Sequence, residues 1–106
     1  MQDLETQACF TIKDLRALQA NAAELLTIID VRSPDEYAAL HIPGAINIPL
    51  PELEVRAKEL SKKNMIVTAC GKGGGRSAQG AAVLKQIGFN RSHYLCGGTF
   101  GWFEVL

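Results

Sequence analysis

A cysteine followed by a run of glycines and then an arginine suits covalent chemistry on small anions. This chain carries one such run, Cys70-Gly71-Lys72-Gly73-Gly74-Gly75-Arg76-Ser77. Glycine lets successive peptide N–H groups turn inward without Cβ clashes and form an anion nest. A helix starting at Arg76 or Ser77 adds free N-terminal amides and a positive dipole end. A cysteine at the base of that nest is expected to be a stabilised, nucleophilic thiolate near neutral pH. The cradle of Gly71, Lys72, Gly73, Gly74, Gly75 and Ser77 would hold an oxyanion, or the charge on a sulfur that Cys70 has acquired. Arg76 supplies a fork suited to a tetrahedral anion, and Lys72 assists. A nucleotide-binding P-loop is excluded, because that pattern needs Lys and then Ser or Thr after its last glycine. The plain alternative is a flexible connection whose cysteine only packs in the core.

The loop needs a strand before it and a helix after it, and both are legible. Met65-Ile66-Val67-Thr68-Ala69 reads as a buried strand. The following helix presents Gly80, Val83, Leu84 and Ile87 on one face and can end at Gly88. Upstream, Thr11-Ile12-Lys13-Asp14 resembles a helix entry, with Leu15, Leu18 and Ala22 on one face. Thr27-Ile28-Ile29-Asp30-Val31 is a second buried strand. Ser33-Pro34-Asp35-Glu36 combines a cap, a proline at the first helical position and a capping-box glutamate, for a short helix ending near Leu40. Pro43-Gly44 makes a turn, Ala45 to Ile48 a brief strand, and Pro51 opens a helix carrying Leu53, Ala57 and Leu60 inward. His93-Tyr94-Leu95 is a last short strand, and Thr99 to Val105 a terminal helix holding Trp102. Strands alternating with helices imply an α/β fold with a mostly parallel sheet.

At 106 residues, 47% hydrophobic and 21% charged, the chain has the size of one domain and the composition of a soluble one. Eleven basic residues balance eleven acidic ones, so no nucleic-acid partner is expected. No apolar run is long enough to cross a bilayer, so no membrane partner is expected either. Residues 1–60 carry a net charge of −5 and residues 61–106 one of +5. That shift either favours a small anion near the second half or cancels when the halves interleave. Cys9, Cys70 and Cys96 lack metal-ligand spacing, so no metal is expected. With no export signal legible in Met1 to Glu5, they read as free thiols in a reducing, cytoplasmic compartment.

Three ordered signatures resemble the rhodanese-like superfamily across nearly the whole chain. The first runs from Ile29-Asp30-Val31-Arg32-Ser33-Pro34-Asp35-Glu36-Tyr37 through His41-Ile42-Pro43-Gly44-Ala45-Ile46-Asn47-Ile48-Pro49. The second is a strand ending at the nucleophilic position, Cys70, with Arg76-Ser77 at the far end of the loop. The third is Tyr94-Leu95-Cys96-Gly97-Gly98 followed by Trp102. The resemblance implies a single rhodanese-like domain over 1–106, with a central five-stranded, mostly parallel sheet flanked by helices on both faces and no metal or organic cofactor. It also implies sulfurtransferase chemistry. Cys70 would attack the outer sulfur of thiosulfate or a persulfide donor and become a persulfide. The sulfur would then pass to cyanide or a thiol acceptor, or to a sulfur-relay protein.

Seven residues run from Cys70 through Arg76, one more than in most sulfurtransferases of that family. The length resembles the phosphatases and arsenate reductases built on the same fold, where a wider ring admits a bulkier anion. Gly71 to Gly75 contain no carboxylate, however, and hydrolysis of a monoester ordinarily needs a general acid. A binding-only module is a third reading, weakened by the presence of Cys70.

Asp30 and Arg32, at a strand end beside the site, either orient the loop or, as the preferred reading, form a structural pair fixing the turn. His41 closes the short helix or faces solvent, and Pro43, Gly44 and Asn47 are turn chemistry. Cys96 reads first as a small apolar filler and second as a resolving thiol for Cys70. Cys9 has no assigned role, and Trp102 is a packing anchor.

Overall fold

The computed structural model describes residues 9–104. The expectation about an export signal in Met1 to Glu5, and the last residue of the expected terminal helix, Val105, lie outside them. Helix α1 spans Ile12–Asn21 and is capped by Thr11, whose side chain accepts from the Asp14 amide. Strand β1 (Leu26–Asp30) leads to α2 (Pro34–Ala39), which starts in a complete capping box between Ser33 and Glu36. Strand β2 is only Ile46–Asn47. Helix α3 (Leu53–Arg56) is a single turn flanked by 3₁₀ turns at Leu50–Glu52 and Ala57–Glu59. Strand β3 (Met65–Ala69), helix α4 (Gly75–Gln86), strand β4 (Ser92–Tyr94) and helix α5 (Gly98–Glu104) complete the order.

The sheet is parallel, in the order β2-β1-β3-β4. Among the described residues it has four strands rather than five. Phe10 lies where a fifth would run, its amide on the Tyr94 carbonyl at 2.7 Å and its carbonyl accepting from Cys96 at 2.9 Å, but it forms only one bridge, to Leu95. Thr11 then turns at once into α1, so no second rung can follow.

Period-two alternation splits the core between the two faces of the sheet. Ile29, Val31, Ile66 and Cys70 pack with Leu53, Ala57, Leu84 and Phe89. On the other face Ile28, Val67 and Ala69 pack with Leu15, Ile42 and Leu95, and Trp102 leans on this second cluster. His41 closes α2: its Nδ1 donates to the Tyr37 carbonyl at 2.8 Å and its ring stacks on Tyr37.

Candidate active site

The chain leaves β1 toward β2 on one side and β3 toward β4 on the other, so the strand order reverses between β1 and β3. Ligands of open parallel sheets collect outside the carboxyl ends of the strands at such a switch point. Asp30 pairs in register with Ala69, and the Val31 amide donates to the Ala69 carbonyl at 3.0 Å. Arg32 and Cys70 therefore leave neighbouring strands side by side.

Cys70 is buried, 5% exposed. Its loop reverses through Gly73, Gly74 and Gly75, with φ of +91°, +75° and +49°, where a side chain would be strained. Gly74 caps α4 without any side-chain hydrogen bond. The amides of Gly71 to Arg76 have no acceptor among the described residues, so this helix start keeps its donors unspent. The immediate surroundings of the sulfur correct the expectation of a ring of N–H groups alone. The Cys70 thiol donates to the Gly74 carbonyl at 3.1 Å and lies 3.3 Å from Ser77 Oγ. The same carbonyl accepts from Ser77 Oγ at 2.9 Å and from the Ser77 amide at 3.1 Å. The reversed peptides of the glycine run turn one carbonyl, that of Gly74, onto the sulfur. Ser77 is fully buried, and its carbonyl takes the Thr68 hydroxyl at 2.7 Å, which ties the base of the loop to β3.

Arg76 sits at the loop's far end, but its guanidinium is engaged. Nη1 and Nη2 donate to Glu36 Oε1 and Oε2 at 2.9 and 3.2 Å. Glu36 Oε1 also accepts from the Ser33 amide at 3.0 Å. Arg76, helped by that amide, holds the Glu36 carboxyl at about 2, far below the usual carboxylate range. The acidic first half and the basic second half of the chain thus meet at the site and partly cancel. Lys72 is exposed and, among the described residues, pairs with no carboxylate.

Asp30 and Arg32, at 1% and 2% exposure, form a closed fork. Arg32 Nε donates to Asp30 Oδ1 at 3.0 Å and Nη2 to Oδ2 at 2.8 Å. Nη2 also donates to the Leu40 carbonyl, at 2.6 Å, and Asn47 Nδ2 to the carbonyls of both Asp30 and Arg32. Hydrogen bonding to Asp30 raises the Arg32 guanidinium above its ordinary value, against the opposing effect of burial. Neither side chain of this fork is free to meet a substrate. Losing one member would strand a buried charge, at a cost of about 3–5 kcal/mol.

Residues 11–104 match the family model described as the rhodanese-like domain. The chain belongs to the rhodanese-like family. A sulfurtransferase of Allochromatium vinosum is 35% identical over 79 residues, covering 74% of this chain and 73% of its own. A candidate sulfur carrier protein of Bacillus subtilis is 38% identical over 84 residues, and there the match spans only 45% of the relative's length. Among solved structures, the human single-domain sulfurtransferase TSTD1 superposes with a TM-score of 0.79 at 27% identity, over 92% of this chain and 96% of that one.

Three features of this rhodanese-like chain escape its sequence. The Gly97-Gly98 pair, which the sequence shows only as the end of the third signature, forms a turn pressed against the active loop. The Thr99 amide donates to the Cys70 carbonyl at 2.7 Å and the Phe100 amide to the Gly71 carbonyl at 3.0 Å. A Cβ on Gly98 would lie 2.6 Å from the Cys70 carbonyl oxygen, and one on Gly73 would lie 2.7 Å from the Gly97 nitrogen. Phe100, unremarked in the sequence, leans its ring on Gly71, 3.2 Å from where a Cβ there would sit. Finally, Cys9 and Cys96 are joined in a disulfide, and Cys70 is the free cysteine. That corrects the expectation of three free thiols, removes Cys96 as a resolving partner, and takes away the basis for assigning a reducing compartment. Pairing of Phe10 beside the end of β4 brings the two cysteines together, a proximity that 87 residues of separation conceal. Among the described residues, no helix is long and apolar enough to cross a membrane.

Proposed function

We propose that this chain is a sulfurtransferase carrying sulfane sulfur as a persulfide on Cys70. The observation that supports it most is the placement of Cys70. It is a cysteine free of disulfide bonding, at the carboxyl end of β3, beneath a glycine turn whose amides from Gly71 to Arg76 have no acceptor among the described residues. The sulfurtransferase relatives point the same way.

In the reaction the Cys70 S–H proton passes to solvent. The Ser77 hydroxyl, in reach of both the sulfur and the Gly74 carbonyl, turns its donor to the sulfur. The Cys70 thiolate attacks the outer sulfur of thiosulfate. A Sγ–S bond forms, the S–S bond of the donor breaks, and sulfite leaves with its electron pair. The terminal sulfur of the persulfide carries the displaced charge toward the open amides of the loop, and Arg76 draws in the anionic donor. A thiol, cyanide or the thiol of a relay protein then removes the outer sulfur and regenerates Cys70.

The loop length supports a second reading, as a phosphatase or arsenate reductase. Two carboxylates near the loop count against the first of these. Glu36 is held ionised by Arg76, and Asp30 is locked by Arg32, so neither is a ready general acid. Incubation with thiosulfate followed by intact-mass measurement tests the proposal. The expected result is one added sulfur, removable by cyanide and absent from Cys70→Ser. Turnover of a chromogenic phosphate ester without sulfur loading would overturn it.

A further inference from the structure

We infer that Phe100 determines acceptor specificity, favouring organic thiols whose body is apolar or aromatic over small hydrophilic ones. This rests on the sulfurtransferase reading of the site and narrows its substrate class. Phe100 is 42% exposed, one of a few large hydrophobic side chains left so open among the described residues. Its backbone is fixed to the active loop, since its amide donates to the carbonyl of Gly71, the residue after the nucleophile. Its ring is held from two sides. One is Gly71 itself, where a Cβ would approach Phe100 Cε2 to 3.2 Å. The other is the guanidinium of Arg32, 5.8 Å from the ring centroid and locked in place by Asp30. An aromatic ring so positioned presents a pre-arranged apolar wall at the loop, and covering its exposed part is favourable only for a ligand with apolar surface of its own.

Once the terminal sulfur has taken a proton from solvent, the acceptor thiolate, R–S⁻, attacks the outer sulfur of Cys70–S–SH. A new S–S bond forms and the Cys70 Sγ–S bond breaks. Its electron pair returns to Cys70 as thiolate, and R–S–SH leaves with the proton. The group R of such an acceptor lies beside the attacking sulfur, and in this assignment it rests on Phe100, which abuts Gly71, the residue after the nucleophile.

The test uses wild type, Phe100→Ala and Phe100→Leu, each loaded with thiosulfate and checked by mass, then chased in single turnover with benzyl mercaptan, 2-mercaptoethanol and cyanide. Dividing rate constants for the two thiols within each protein, then comparing proteins, cancels their different intrinsic reactivities. The benzyl mercaptan preference should fall about 3–10-fold in Phe100→Ala, the share that re-covering part of one ring contributes, and less in Phe100→Leu. Loss of a purely structural contact would slow every acceptor alike and leave the ratios unmoved. Normal loading with unchanged ratios therefore overturns the acceptor assignment alone. Failure of the wild type to load overturns the sulfur-transfer reading and this assignment together.

Discussion

The Arg76 guanidinium rests in bidentate contact on the Glu36 carboxylate, so the arginine that ends the active loop already has an anion. A substrate anion must compete with Glu36 for it. Both side chains are nearly half exposed, which limits the pair to under about 1 kcal/mol.

Glu36→Gln should therefore lower KM for thiosulfate, by up to about 5-fold, because Arg76 loses its internal competitor. Arg76→Ala should raise KM, by about 10-fold or more if the lost contact is charge-assisted. With Glu36 held at about 2, below its ordinary 4.5, its contribution to stability is present above pH 4.5 and is lost as pH falls through about 2. KM measured from pH 4 to 6 should accordingly show no step from this carboxyl. A step there that disappears in Glu36→Gln would contradict the pairing.

Gly98→Ala should disable the site, whereas Gly74→Ala should not. A Cβ on Gly98 meets the carbonyl oxygens of Cys70 and Gly71 and the Gly73 nitrogen, all within 2.7 Å. On Gly74 it meets nothing within 4 Å, and only the backbone, at φ +75° and ψ −161°, is penalised, by about 1–3 kcal/mol. Sulfur loading and melting temperature of the two variants provide the comparison. Equal behaviour would show that the Gly98 turn does not support the loop.

Thiol titration in denaturant should find one reactive cysteine before reduction and three after it. The Cys9–Cys96 bond closes a long stretch of chain, so reducing it should lower unfolding free energy by about 2–4 kcal/mol. Urea unfolding with and without reductant reads this directly, and coincident curves would argue against the bond.

Stability should fall as pH drops below about 6.5, through His93. Burial, with a smaller contribution from Lys85, pushes its imidazolium value down. The unfolded chain thus binds the proton first, and acid favours unfolding until the folded-state value is also passed. The effect should stay below about 1 kcal/mol for this part-exposed ring, and His93→Gln should flatten that part of the urea-midpoint profile.

What the amino-acid order determined by itself is local. The Ser33–Glu36 capping box, the Thr11 cap, the nearly continuous apolar runs of β1 and β3 and the glycine turn after Cys70 all depend on neighbours within a few residues. Hydrogen-bond chemistry and side-chain period act at that range, so the residue pattern reveals them. Tertiary structure decided what the site residues touch. Glu36, legible as a helix cap, became the partner of Arg76 only when α2 and α4 met across forty residues. The inward carbonyl at Gly74, the docking of Gly98 and Phe100 on the loop, and the Cys9–Cys96 bond likewise need strands and turns to be placed in space. Such contacts depend on the order of strands in the sheet, and spacing along the chain carries no record of which strands become neighbours.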